Sequence, residues 1–166
     1  MSEFQGCPGS RAFQFNAPDS GAAAETVGEI QSQLRQWPIQ LHLISPSAPY
    51  YQGADVLLTA DCVAYALGDF HSAHLKGKAL AIACPKLDQG QEVYREKIKA
   101  WLEEAQIKSL TILIMQVPCC MGLLHLAEQA LQDAEGKVPV TYKVIGVQGE
   151  ILQEETLEVT SRIAVG

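Results

Sequence analysis

The chain has 166 residues, 48% hydrophobic and 19% charged, with a formal net charge of −7. That is one domain's worth of sequence, apolar enough to bury on the order of 70% of its unfolded surface, which excludes wholesale disorder. No apolar run approaches the roughly 20 residues of a membrane span, and the 12 scattered lysines and arginines form no basic stripe for nucleic acid. The polar start, Met1 to Arg11, lacks the apolar stretch of a signal peptide, so the expected location is the cytoplasm.

Residues 1–20 have no sustained period and read as an irregular arm. Ala23 to Gln36 places Val27, Ile30, Leu34 and Trp37 on one stripe, which predicts a helix closed by Pro38. Ile39 to Ile44 alternates and predicts a strand, followed by a loop over Ser45 to Gly53. A strand–helix unit then repeats three times. Asp55 to Ala60 is a buried strand running into Asp61-Cys62, with a helix over Val63 to His74 ended by Gly77. Lys78 to Ala83 is the next strand, running into Cys84-Pro85. Asp88 and Gln91 then form a capping-box pattern before a helix with Tyr94, Ile98, Trp101, Leu102 and Ala105 on one face.

Ser109 to Val117 is the third strand of the series, running into Pro118-Cys119-Cys120. Its helix carries Leu123, Ala127, Ala130, Leu131 and Ala134 on one face, with Gly136 as the expected C-cap. Val138 to Val147 is a last strand, and Gly149 turns a hairpin into Ile151 to Val159. Apolar strands alternating with amphipathic helices predict an α/β fold: a three-layer, mostly parallel open sheet of about five strands, helices on both faces, and a C-terminal hairpin. The expected organisation is an arm over 1–20, one α/β domain over 21–150 and a strand or tail over 151–166. That last segment is either an edge hairpin used in a homodimer or a frayed tail.

Five cysteines, Cys7, Cys62, Cys84, Cys119 and Cys120, form an odd set in a chain expected in a reducing compartment. There, clustered cysteines point to metal or redox chemistry, although each alone also suits a small buried hydrophobe. Cys62, Cys84 and Cys119/Cys120 each come just after a predicted strand. If those strands are neighbours, right-handed crossovers bring the thiols to the ligand-binding edge of the sheet. Cys62 and Cys120 also open helices, where thiolate is favoured.

Four thiolates suit an iron–sulfur cluster or zinc. The spacings, 21 residues from Cys62 to Cys84 and 34 from Cys84 to Cys119, are longer than the C-x2–4-C pairs of structural zinc. Asp61 is placed to orient a ligand or helix, and Lys86 to offset negative charge, or each is an ordinary surface group. His71, three residues before His74, and His125, one turn into its helix, are supporting candidates, with structural roles as the alternative. The chain contains no G-x-G-x-x-G after its first strand, no phosphate-loop pattern, no G-x-S-x-G and no H-E-x-x-H.

Several stretches carry a resemblance: L-R-Q-W-P-I-Q-L-H-L-I-S-P-S-A-P-Y at Leu34 to Tyr50, A-D-C at Ala60 to Cys62, and G-D-F-H at Gly68 to His71. C-P-K-L-D at Cys84 to Asp88, V-P-C-C-M-G-L at Val117 to Leu123 and C-P-G-S at Cys7 to Ser10 extend it. Together the chain resembles the C-terminal domain of ferredoxin-like iron–sulfur proteins of anaerobic bacteria and archaea. The C-x2-C-x2-C-x3-C-P runs of their ferredoxin part are absent from this sequence. The resemblance implies a domain that works beside a ferredoxin or other iron–sulfur redox protein and keeps its own cysteines. The leading expectation is an iron–sulfur redox module with Cys62, Cys84, Cys119 and Cys120 as ligands and Cys7 brought in by the arm. The alternatives are a zinc-binding, non-catalytic domain and a thiol-dependent redox enzyme of small molecules.

Overall fold

The computed structural model describes residues 11–15 and 30–157. Two short strands, β1 (Phe13–Gln14) and β2 (Gln36–Trp37), pair antiparallel. The main sheet holds β3 (Asp55–Ala60), β4 (Ala79–Ala83), β5 (Ser109–Met115), β6 (Val140–Ile145) and β7 (Ile151–Leu157), in the order β4-β3-β5-β6-β7. The first four run parallel, and β7 turns back antiparallel on β6. Helices α1 (Val63–Ala66), α2 (Gln91–Glu103) and α3 (Met121–Asp133) connect them. The chain steps one way from β3 to β4 and the other way to β5 and β6. Right-handed crossovers therefore put α2 and α3 together on one face and α1 on the other. Val56, Leu57, Leu58, Thr59 and Ala60 are all buried, because β3 is covered on both faces.

The expected α/β architecture is thus present, including the C-terminal hairpin. Gly149 turns that hairpin at φ +88°, and a Cβ there would meet the Ala66 carbonyl oxygen at 2.4 Å. Helix α2 buries Tyr94, Ile98, Trp101 and Leu102, as its apolar period requires. In α3, Leu123, Ala127, Ala130 and Leu131 are buried.

Four local expectations are corrected. Within the expected helix over 23–36, the described part has no helix: residues 30–35 are irregular and Gln36 enters β2, with its side-chain atoms bonding the backbone of Leu80 at 2.5 and 3.4 Å. The N-terminal part of that segment lies outside the described residues. Ile39 to Ile44 is a single bridge followed by a turn, not a strand. There the Gln40 side chain accepts the His42 N–H at 2.6 Å, and the Lys97 ammonium donates to the carbonyls of Leu41, His42 and Ile44 at 2.7–2.9 Å. Side-chain bonds of this kind compete with a ladder. The segment still covers the open edge of β4: Leu41 N–H donates to Ile82 O and Ile82 N–H to Ile39 O.

The helix expected over Val63 to His74 ends at Ala66, where Leu67 turns extended, and resumes as a π-helical turn over Phe70–Leu75. Gly136 lies beyond the C-cap Ala134; a Cβ on it would sit 2.6 Å from the Leu102 carbonyl oxygen, so close approach explains the glycine. Among the described residues no helix is long and apolar enough to cross a membrane.

Candidate functional site

Strand β3 lies between β4 and β5, so the loops that leave these three strands are neighbours at the C-terminal edge. Cys62 stands two residues beyond β3, Cys84 directly beyond β4, and Cys119 and Cys120 in a 3-10 turn, Pro118–Cys120, beyond β5. Because the chain reverses its direction of travel between β3 and β5, that gap is the topological switch point, the crevice where open α/β sheets take ligands. Cys62 flanks it on one side and Cys119-Cys120 on the other. The turn after Cys84 reaches across as well: a Cβ on Gly122, at the start of α3, would meet the Pro85 ring at 3.1 Å.

The thiols differ in state. Cys62 and Cys119 are exposed, Cys84 is half-buried and Cys120 is buried. Burial pushes the Cys120 thiol up, a backbone hydrogen bond with Met115 opposes this, and the charges and hydrogen bonding of Cys119 and the charge of Cys62 push it further up. Cys62, Cys119 and Cys120 share the rim between the ends of β3 and β5. Cys84 belongs to a different arrangement. Its N–H donates to Asp88 Oδ2 at 2.9 Å, and the same oxygen accepts from Tyr94 Oη and from Gln40 Nε2. Asp88 thus ties down the turn after Cys84 and does not cap α2, whose N-cap is Gly90 at φ +68°; Gln91 turns back to the Pro85 carbonyl.

Asp61 lies beside the rim. Its N–H donates to Ala83 O at 3.1 Å, while its buried Oδ1 has no hydrogen-bond partner among the described residues. Burial, then the charge of Asp88, hold its carboxyl above the usual aspartate range. On the α1 face a cleft of about 200 Å³ opens against Asp61, lined by Thr59, Leu80, Ile82, Phe70 and His71 among others. The Leu34 and Ile39 walls come from the segment before β3, which no local pattern ties to this place.

The remaining candidates fall apart from one another. His71 Nδ1 accepts the Gln33 N–H at 3.0 Å, whereas His74 is buried and faces Asp69 at 3.8 Å, so the two histidines form no pair. Lys86 is exposed. His125 points to solvent, 73% exposed, beside Glu128 at 3.4 Å. Cys7 lies outside the described residues. Among the described residues no group of three or more histidine, cysteine, aspartate or glutamate side chains is placed to hold a metal ion. Among the described residues the donors are thus not assembled around an iron–sulfur cluster or zinc.

An open, mostly parallel sheet with helices on both faces and a strand-order reversal defines the open, doubly wound α/β class. The chain belongs to the Rossmann-like domain family, whose model matches residues 48–165. It is also similar to an uncharacterized protein of Archaeoglobus fulgidus, 30% identical over 120 residues, covering 72% of this chain and 83% of the archaeal one. No solved structure matches.

Proposed function

We propose that this chain is a thiol-based redox domain that works beside iron–sulfur electron carriers, with Cys62, Cys119 and Cys120 as its working thiols. The placement of these three thiols just beyond the adjacent strands β3 and β5, on either side of the switch point, carries the reading. The exposed Cys62 and Cys119 meet a partner from solvent, while the buried Cys120 stays protonated beside them. Joining Cys62 to one of the adjacent pair makes one S–S bond, and releases two protons and two electrons. Those electrons and protons go to a small-molecule disulfide, which leaves as two thiols; a reduced carrier of the ferredoxin class, near about −400 mV, then supplies two electrons singly, in two encounters, and with two protons from solvent reopens the S–S bond. An adjacent-residue disulfide between Cys119 and Cys120 alone is strained, which favours Cys62 as the second member. The likeness of A-D-C, C-P-K-L-D and V-P-C-C-M-G-L to domains attached to ferredoxin clusters supports the choice of partner.

The test is a thiol–disulfide redox titration, read by mass spectrometry, on protein purified without oxygen, together with its absorption spectrum and iron, sulfide and zinc contents. The expected result is a single two-electron couple that Cys62→Ser abolishes and Cys84→Ser keeps. Independent oxidation of unlinked thiols overturns it. So does absorbance near roughly 400 nm with iron and acid-labile sulfide, which makes the domain a cluster protein, or stoichiometric zinc, which makes it a metal-binding domain.

A further inference from the structure

The surface around the working thiols is unlike ordinary protein surface. Residues 62–68 and 109–124, which carry Cys62, Cys119 and Cys120, contain no aspartate, glutamate, lysine, arginine or histidine. Apolar side chains occupy most of their exposed positions. Tyr65 is 93% exposed, Met121 48% and Val117 37%, and Pro118 is exposed between Val117 and Cys119. Exposed apolar side chains gathered in one place mark a binding surface. Cys62 has helical backbone angles, φ −81° and ψ −15°, and Tyr65 follows it by three residues, so the two side chains are neighbours on one face of the turn. On the other bank Cys119 sits in the 3-10 turn, with Val117 and Met121 at its two ends, and the Cys120 N–H donates to the Val117 carbonyl at 3.1 Å.

In the turn after β4 the exposed cation Lys86 is offset by Asp88, and Asp61 stands next to Cys62 as a further carboxyl. The two thiol-bearing stretches thus offer a carboxylate-bearing disulfide no arginine to grip it. Thiol–disulfide exchange passes through a mixed disulfide, in which one half of the substrate stays on the attacked sulfur and lies on the surface around it. That surface is apolar on both banks of the crevice.

We propose that the substrate of this site is an uncharged disulfide with apolar substituents, which seat on Tyr65, Val117 and Met121. This rests on Cys62 and the adjacent pair acting as working thiols. The S–S bond of the substrate breaks and one forms between Cys62 and a member of the pair, while the two thiol hydrogens leave on the two product thiols.

Reduced protein is mixed with diethyl disulfide, hydroxyethyl disulfide, dithiodipropionate or cystamine, in high salt that screens the net charge of −7. Formation of the Cys62 disulfide is followed by mass spectrometry. Each rate is divided by that of the same reagent with free mercaptoethanol, which removes leaving-group differences. Diethyl disulfide should react about tenfold or more faster than either charged reagent, with hydroxyethyl disulfide between them. Tyr65→Ser combined with Met121→Ser, both at exposed positions, should bring diethyl disulfide down to the level of hydroxyethyl disulfide, with the fold checked by circular dichroism. Equal normalised rates for all the reagents, or fastest reaction with a charged one, would overturn the substrate class and leave the thiol couple standing. An unchanged preference in the double variant would overturn the assigned surface. Absence of a Cys62 disulfide with every reagent would overturn the thiol reading and the substrate class with it.

Discussion

The two ends of the same sheet are built differently. At the N-terminal end the connections close on one another: Ser109 Oγ donates to Asp55 Oδ1 at 2.6 Å, Gly53 N–H to Ala105 O at 2.9 Å, and Lys108 N–H to Ala54 O at 2.8 Å. Just behind them Tyr51 and Trp101 pack with ring centroids 5.1 Å apart, both fully buried. At the C-terminal end lie the thiols, the unpartnered Asp61 oxygen, and exposed large side chains such as Tyr65, Leu87 and Met121. At one end backbone and side-chain bonds tie the connections to one another, although Tyr50 Oη and Trp101 Nε1 have no partner among the described residues; at the other the Asp88 bonds hold the turn after Cys84 while Cys62 and Cys119 are left exposed. In a parallel sheet every strand points to the same rim, so chemistry placed just after strands collects there without disturbing the opposite end.

The contrast predicts unequal responses to substitution. The largest effect is expected at the closed end: Trp101→Ala removes a fully buried ring and should cost ~3–5 kcal/mol in denaturant unfolding. A loss below about 1 kcal/mol there would break the comparison, because it would mean that the packing around α2 is slack.

An intermediate effect is expected from His74 on the α1 face. Burial lowers its pKa from the ordinary 6.5, with the Asp69 charge opposing and the Lys143 and Lys78 charges reinforcing. Below pH 6.5 the unfolded chain then binds more protons than the folded one. Stability should be whole above that value and fall as the pH drops through the lowered one. A thermal-unfolding series against pH should show this slope, and His74→Gln should flatten it; an unchanged slope in the variant would assign the dependence to other groups.

The smallest stability effect belongs to the open end. Cys62→Ser and Cys119→Ser exchange one exposed atom each and should move unfolding by no more than ~0.5 kcal/mol. Their effect should fall on thiol reactivity instead. A large stability loss in either would show that the rim thiols hold the structure rather than serve it.

How much of this is legible in the chain varies by element. Helix α2 is readable because Tyr94, Ile98, Trp101 and Leu102 repeat at helical spacing and all four are buried. Strands β3, β4 and β5 are readable as short apolar runs, with cysteines marking their ends. The alternation of Ile39 to Ile44 misleads, since Gln40 and Lys97 hold it as a turn through side-chain bonds invisible to periodicity. Asp88 misleads in the same way: its spacing to Gln91 matches a cap, yet it binds the Cys84 N–H and Tyr94. The cleft is not legible at all, because Leu34, Asp61 and Ile82 meet only across three separate segments.

The sequence by itself determined the class of fold and the placement of cysteines after successive strands. Both are local properties, set by the hydrophobic period and by the residues that end each apolar run. Only the tertiary structure decided that β3 lies between β4 and β5. That order makes Cys62 and Cys119-Cys120 the two banks of one crevice and leaves Cys84 tied to Asp88. Strand order depends on which faces and edges bury the most surface together, a sum over distant residues that no window of sequence contains.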